Sequence, residues 1–218
     1  MGEGSKGGGR GNLSRERILL AALSLVDRGG VETLSMRKLA ESLGVKAMSL
    51  YNHVSNKADI VDGLVELVAS EFELPDPAIE WREAMRRRAV SAHATLLRHR
   101  WAPGVLLSHP RAGPAMLRYV DATLGCLQGA GFTYEQADHI WNALDSYVYG
   151  FTVRELAFPF APEEYARVAR EFLPRIPEQD YPHFVALTRR VADGAHSGIH
   201  EFEFGLDLLL AGLNHRIA

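Results

Sequence analysis

Apolar residues in this chain recur at spacings of three and four, and no stretch of useful length alternates apolar with polar residues. That period gives a helix one apolar face and leaves strands no pattern to follow, so the expected fold class is all-α. Ile18, Ala21, Ala22, Leu25 and Val26 form the first such face. Ser14 is placed to cap its start, and Gly29 with Gly30 to end it, because glycine tolerates left-handed dihedrals. A second helix is expected from Ser35, burying Met36 or Leu39 with Ala40 and Leu43, and broken by Gly44. A short third helix follows over 46–53. A fourth begins near Asn56, carries Ile60, Leu64, Leu67 and Val68 on one stripe, and runs to Pro75. Helical patterns resume over 81–100, 112–129, 134–156, 162–172, 182–193 and 200–217, with proline and glycine at the joints, Pro103 and Gly104 among them.

Composition sets the class. The 218 residues are 47% hydrophobic and 23% charged, an ordinary balance for a folded chain of one or two domains. The lone Cys126 leaves no disulfide framework and fits a reducing cytoplasm. No apolar run approaches the roughly 20 residues of a membrane span. Residues 1–12, mostly glycine with Lys6 and Arg10, read as a flexible tail, either a basic arm or a bare leader, with no secretory pattern. A cytoplasmic protein without a membrane partner is expected.

The formal charge of −3 argues against nucleic acid, but its distribution argues for it. From Arg10 to Lys57 there are eight basic residues against four acidic ones, so that slice is +4 and the remainder −7. A basic head on an acidic body suits a DNA-reading module attached to something else. Within the head, Ala40 is small where two helices must meet, Gly44 permits a sharp turn, and Val45, Leu50 and Val54 anchor the third helix. With those residues inward, Lys46, Ala47, Met48, Tyr51, Asn52 and His53 face outward, as a helix entering the major groove requires. Arg37 suits guanine, Asn52 adenine, Ala47 and Met48 a thymine methyl, and Lys46 a base edge or phosphate. Ser35, Tyr51, His53 and Lys57 carry donors suited to phosphate, and the N-terminus of the fourth helix adds backbone N–H groups. The pattern alone leaves open a generic helical corner with solvated charges.

Residues 14–74 resemble the DNA-binding domain of the TetR family of regulators. The residues that carry the resemblance are 34–40 (Leu-Ser-Met-Arg-Lys-Leu-Ala), 43–45 (Leu-Gly-Val), 50–54 (Leu-Tyr-Asn-His-Val), Asn56 and Lys57. The resemblance implies phosphate contacts by Tyr51, His53 and Lys57 and a guanine-reading Arg37. Lys46, Ala47, Met48 and Asn52 depart from the tetracycline-repressor branch, which implies a different operator. The body resembles that branch more weakly, through Gly131 and Phe132, residues 146–150, and residues 202–213. This implies a homodimer built on the last helix and the helix bearing Gly150. Phe204, Leu208 and Leu209, with Gly205 and Gly212, make an apolar face of the kind required, which the residues alone allow equally to be intrachain core. The expected organisation is a tail (1–12), an N-terminal three-helix helix-turn-helix domain (13–74) and a C-terminal helical ligand-binding and dimerisation domain (78–218).

The resemblance further implies a small-molecule effector that releases the protein, usually a repressor, from a palindromic operator on double-stranded DNA. Its candidate pocket positions here are Arg88, Ala92, Leu106, Val120, Thr123, Trp141, Ser146 and Arg154. Where the branch holds magnesium–tetracycline with two histidines and a glutamate, this chain has Leu106, Ser146 and Arg154, a poor set for a hard cation. Arg88 and Arg154 suit either an anionic or acyl-type effector or solvated salt bridges. Trp101, Tyr119, Trp141 and Tyr147 either line the cavity or are plain core. No cofactor and no metal are expected. His196 and His200 have the spacing of a helical metal pair, but Gly198 lies between them and no glutamate completes the motif. No phosphate-loop, dinucleotide or nucleophile-elbow pattern supports an enzyme. A ligand-independent DNA-binding protein of the same fold stays open as the alternative.

Overall fold

The computed structural model describes residues 12–108, 113–196 and 201–213, and among them every regular element is helical. Four helices make the head: α1 (Arg15–Gly29), α2 (Met36–Leu43), α3 (Ala47–Leu50) and α4 (Lys57–Ser70). Each long one starts where a polar side chain can satisfy a free N–H. Ser14 accepts from the Arg17 amide, Ser35 from Lys38 and Asn56 from Asp59. The expected stripes are the ones buried: Ile18, Ala22 and Val26 on α1, Leu39 and Ala40 on α2, Ile60 and Leu64 on α4.

The body follows as α5 (Trp81–Arg98), α6 (Ala102–Ser108), α7 (Pro114–Gly129), α8 (Tyr134–Ala157), α9 (Tyr165–Phe172), α10 (Pro182–Ala192) and α11 (Phe202–Gly212). Helices α5, α7, α8 and α11 pack on one another around Met85, Ala89, Leu96, Leu127, Leu144, Leu206 and their neighbours. Helices α9 and α10 form a hairpin that packs chiefly on itself. The head and body cores meet where α4 packs on α6 and α7.

Two expectations are corrected. Helix α6 starts at Ala102, through the Pro103 and Gly104 that read as a joint, because proline in a first turn forfeits an N–H that has no helical partner anyway. Helix α3 ends at Leu50 rather than His53, although the His53 and Val54 amides still donate to Leu50, so its anchors stay in place. The tail lies almost wholly outside the described residues, as do His200, half of the histidine pair, and residues 214–217, expected to end the last helix. No described helix is long and apolar enough to cross a membrane.

Candidate nucleic-acid interface and buried body site

The turn between α2 and α3 rests on Gly44, whose φ of +67° is left-handed. It lets the Val45 amide reach back to the Ala40 carbonyl at 3.0 Å, closing α2 and redirecting the chain. Leu50 and Val54 then fix α3, both essentially without solvent exposure. The opposite face is open. Met48 is 76% exposed and Tyr51 47%, and Lys46, Asn52 and His53 are exposed with them, Ala47 being half-buried. Ser35, Arg37 and Lys57 border the same face and are also exposed. Arg37 pairs with Glu41 one turn on at 3.1 Å, and a pair this exposed exchanges readily for another partner. Ser35 has a structural task as well, since its oxygen caps α2.

The start of α4 is braced from α1. Arg15 grips Asp59 through two hydrogen bonds of 2.6 and 3.0 Å, and the same carboxylate accepts the Ser55 amide at 2.7 Å. The Arg15 hydrogen bond, followed by that of Ser55, holds Asp59 below the usual carboxylate range. The brace sets the position of Lys57, two residues before Asp59.

In the body, Arg88 of α5 is wholly buried, so a surface salt bridge is excluded for it. Its Nη2 donates to Asp145 of α8 at 2.7 Å, and the other Asp145 oxygen accepts the Trp141 indole N–H at 2.8 Å. The guanidinium carbon lies 4.8 Å from the centre of the Tyr119 ring on α7. Arg88 Nε and Nη1 have no hydrogen-bond partner. Burial pushes the phenols of Tyr119 and Tyr149 well above their ordinary pKa, so both stay neutral. Thr123, also buried, donates its hydroxyl to the Tyr119 carbonyl.

The structure thus gathers Arg88, Thr123 and Trp141 of the expected pocket positions, with Ala92 buried on the same helix. Leu106 and Val120 are half-buried, and Ser146 and Arg154 are exposed, away from Arg88. Two members of the cluster were missed, Asp145 and Tyr149. Their signal was the spacing Trp141, Asp145, Val148, Tyr149, one face of α8. Of the other aromatics, Trp101 donates to Asp27 at the head–body junction and Tyr147 to the Phe202 carbonyl. Of the two cavities described, about 440 Å³ between α9 and α10 and about 550 Å³ beside α1 and α6, neither is lined by any of the eight candidate pocket positions, while Trp101 lines the second.

On α11 the inward face is Phe202, Leu206 and Leu210, while Phe204 and Leu208 are more than 60% exposed and Leu209 38%. Gly150 and Gly212 are exposed. Gly205 faces its own chain, where an added Cβ would overlap the Tyr147 hydroxyl.

Residues 18–64 match the bacterial regulatory proteins of the tetR family, and residues 74–217 match the tetracyclin repressor-like C-terminal domain. An HTH-type transcriptional regulator of Saccharopolyspora erythraea is 35% identical over 92% of this chain and 84% of its own length. The HTH-type transcriptional repressor DrrR1 of Streptomyces coeruleorubidus is 28% identical over 97% of this chain and 81% of its own. The fold superimposes on the TetR family protein ActR of Streptomyces coelicolor in complex with actinorhodin, with a TM-score of 0.76, 25% identity, and coverage of 92% of this chain and 94% of that one. With a helix-turn-helix whose polar face is open, a helical body behind it, and family matches to both parts, the chain belongs to the TetR family of DNA-binding transcriptional regulators.

Proposed function

We propose that the protein is a repressor that binds a palindromic operator as a homodimer and leaves it when a small molecule occupies the body. The observation that carries the DNA part is the outward face of α3, polar and open while Leu50 and Val54 are buried beneath it. Arg37, Lys46, Ala47, Met48 and Asn52 read base edges in this proposal, and Ser35, Tyr51, His53 and Lys57 hold phosphates. The dimer face is the outer side of α11, Phe204, Leu208, Leu209 and Gly212, with Gly150 of α8. An exposed apolar face of this kind marks an interaction surface. Two such heads sit about one DNA turn apart, roughly 34–36 Å. The operating units are 13–74 for DNA and 78–218 for dimer and effector.

Support for the effector part comes from the polar cluster at Arg88, from a relative named as a repressor, and from a structural neighbour holding a small molecule. Leu106, Ser146 and Arg154 make magnesium–tetracycline a poor fit. Selection of bound fragments from a random duplex pool, using the full chain, tests the DNA part. A two-fold symmetric site is expected, and Arg37→Ala should relax one guanine per half-site at a cost of about 1–3 kcal/mol. Failure to enrich any sequence at low salt would overturn the reading, and enrichment of a single asymmetric half-site would overturn the dimer.

A further inference from the structure

We infer that the buried site at Arg88 takes an uncharged ligand through a carbonyl-type oxygen, and not the anion that an arginine pair would suit. This rests on the effector reading above and names its ligand class. The first observation is the supply of donors. Arg88 keeps its Nε–H and Nη1 donors unmatched, although the side chain is wholly buried. Buried polar groups in folded proteins are nearly always satisfied, so an acceptor from outside the chain is the missing partner.

The second observation is the charge. Asp145, 2.7 Å from Arg88, already neutralises the guanidinium, and its side chain is 15% exposed. Its second oxygen is committed to the Trp141 indole. An anion accepting from Arg88 would lie close to that carboxylate at low effective dielectric, where like charges repel strongly and neither is well solvated. Arg154 does not offset this, because it is on the exposed side of α8. Tyr119 and Tyr149 are neutral phenols, and the Thr123 proton is spent on the Tyr119 carbonyl. The cluster therefore has a net charge of zero and an excess of donors. A ketone, quinone or ester oxygen matches both conditions.

The test uses the full chain labelled with ¹⁵N arginine, titrated with acetophenone and separately with benzoate, which match in size and shape and differ in charge. The readout is the Arg88 Nε–H resonance, assigned by its loss in Arg88→Lys. Acetophenone is expected to move that resonance saturably, with benzoate at least tenfold weaker. Equal or tighter binding of benzoate overturns the inference, and so does an Arg88 resonance that responds to neither probe. In Arg88→Met/Asp145→Leu, checked for folding by circular dichroism, acetophenone affinity in equilibrium dialysis should fall at least tenfold, and unchanged affinity would again overturn it. Operator binding without ligand, measured on the same samples, is independent. Its loss sinks the DNA reading and leaves the site chemistry standing, while acetophenone that binds without releasing DNA counts against effector control alone.

Discussion

Arg88→Met should destabilise the protein through what it leaves behind. The methionine fills most of the arginine's volume, but the Asp145 carboxylate loses its cation and keeps only the Trp141 indole as donor. Breaking a buried pair in this way costs about 3–5 kcal/mol. Asp145 retains 15% exposure, which lets water soften the loss and places it near the lower end. Loss of the guanidinium from the Tyr119 face adds about 1 kcal/mol, and removing two unmatched donors returns an amount of similar size. The net expectation is about 3 kcal/mol, or a melting temperature lower by roughly 6–12 °C for a chain of this length. Arg88→Met/Asp145→Leu removes both charges and should lie within about 1 kcal/mol of the parent protein, or above it. Thermal and urea unfolding, followed by tryptophan fluorescence at one fixed protein concentration, measure both variants. A single variant as stable as the parent, or a double variant as weak as the single, would refute the buried-pair argument.

Three further outcomes are expected. Lys57→Ala should weaken binding to every duplex alike and reduce the slope of log affinity against log salt by about 1, whereas an unchanged slope would remove its phosphate role. Leu208→Glu places a charge on the outer face of α11, where Leu208 is 61% exposed, and should yield a folded monomer in sedimentation; a persistent dimer would exclude that face. Asp59, held below its ordinary pKa by Arg15 and Ser55, contributes stability that is complete above the unfolded value near 3.8 and lost as pH falls through the folded one. Asp59→Asn should therefore lower stability at neutral pH and narrow its gap to the parent below about pH 4, with a constant gap counting against the brace. The effect is small because Arg15 is 45% and Asp59 26% exposed.

Local chemistry was legible in the sequence, and long-range pairing was not. Ser14, Ser35 and Asn56 announce helix starts because a cap is made with an amide two or three residues away. Leu50 and Val54 announce the reading face because burial on a short helix follows from spacing alone. Arg88 shows the limit. Trp81, Met85, Arg88, Ala92 and Leu96 are spaced as one buried face, but residue type argued for the surface, and its compensating carboxylate lies 57 residues away. Only the family resemblance groups Arg154 with Arg88. It lies nine residues beyond Asp145, about half a turn around α8 at 3.6 residues per turn, which puts it on the far side. Gly205 carried a correct signal for close approach, yet only the fold reveals that the neighbour is Tyr147 of its own chain.

Between Arg88 and Lys57, α4 is one connecting element, because it carries Lys57 and packs on α7. Its first turn carries Lys57 beside the reading face. In its third turn, Glu66 accepts the Ala115 amide at 2.8 Å, at the start of the α7 helix whose Tyr119 underlies Arg88. Gly113 lies so close to the Glu66 carboxylate that an added Cβ would overlap it, so the start of α7 and α4 are in close contact there. At the end of α4, Glu71 is held by Arg98 at 2.6 Å and by His99 at 3.2 Å. His99 also meets Asp27 of α1 at 2.8 Å, an oxygen shared with the Trp101 indole. Helix α4 is thus bound to the body at its middle and end, and α1 is tied to the same junction. In the proposed dimer, a ligand that displaces Tyr119 and α7 would therefore have a packed route to the spacing between the two heads, on which recognition of two half-sites would depend.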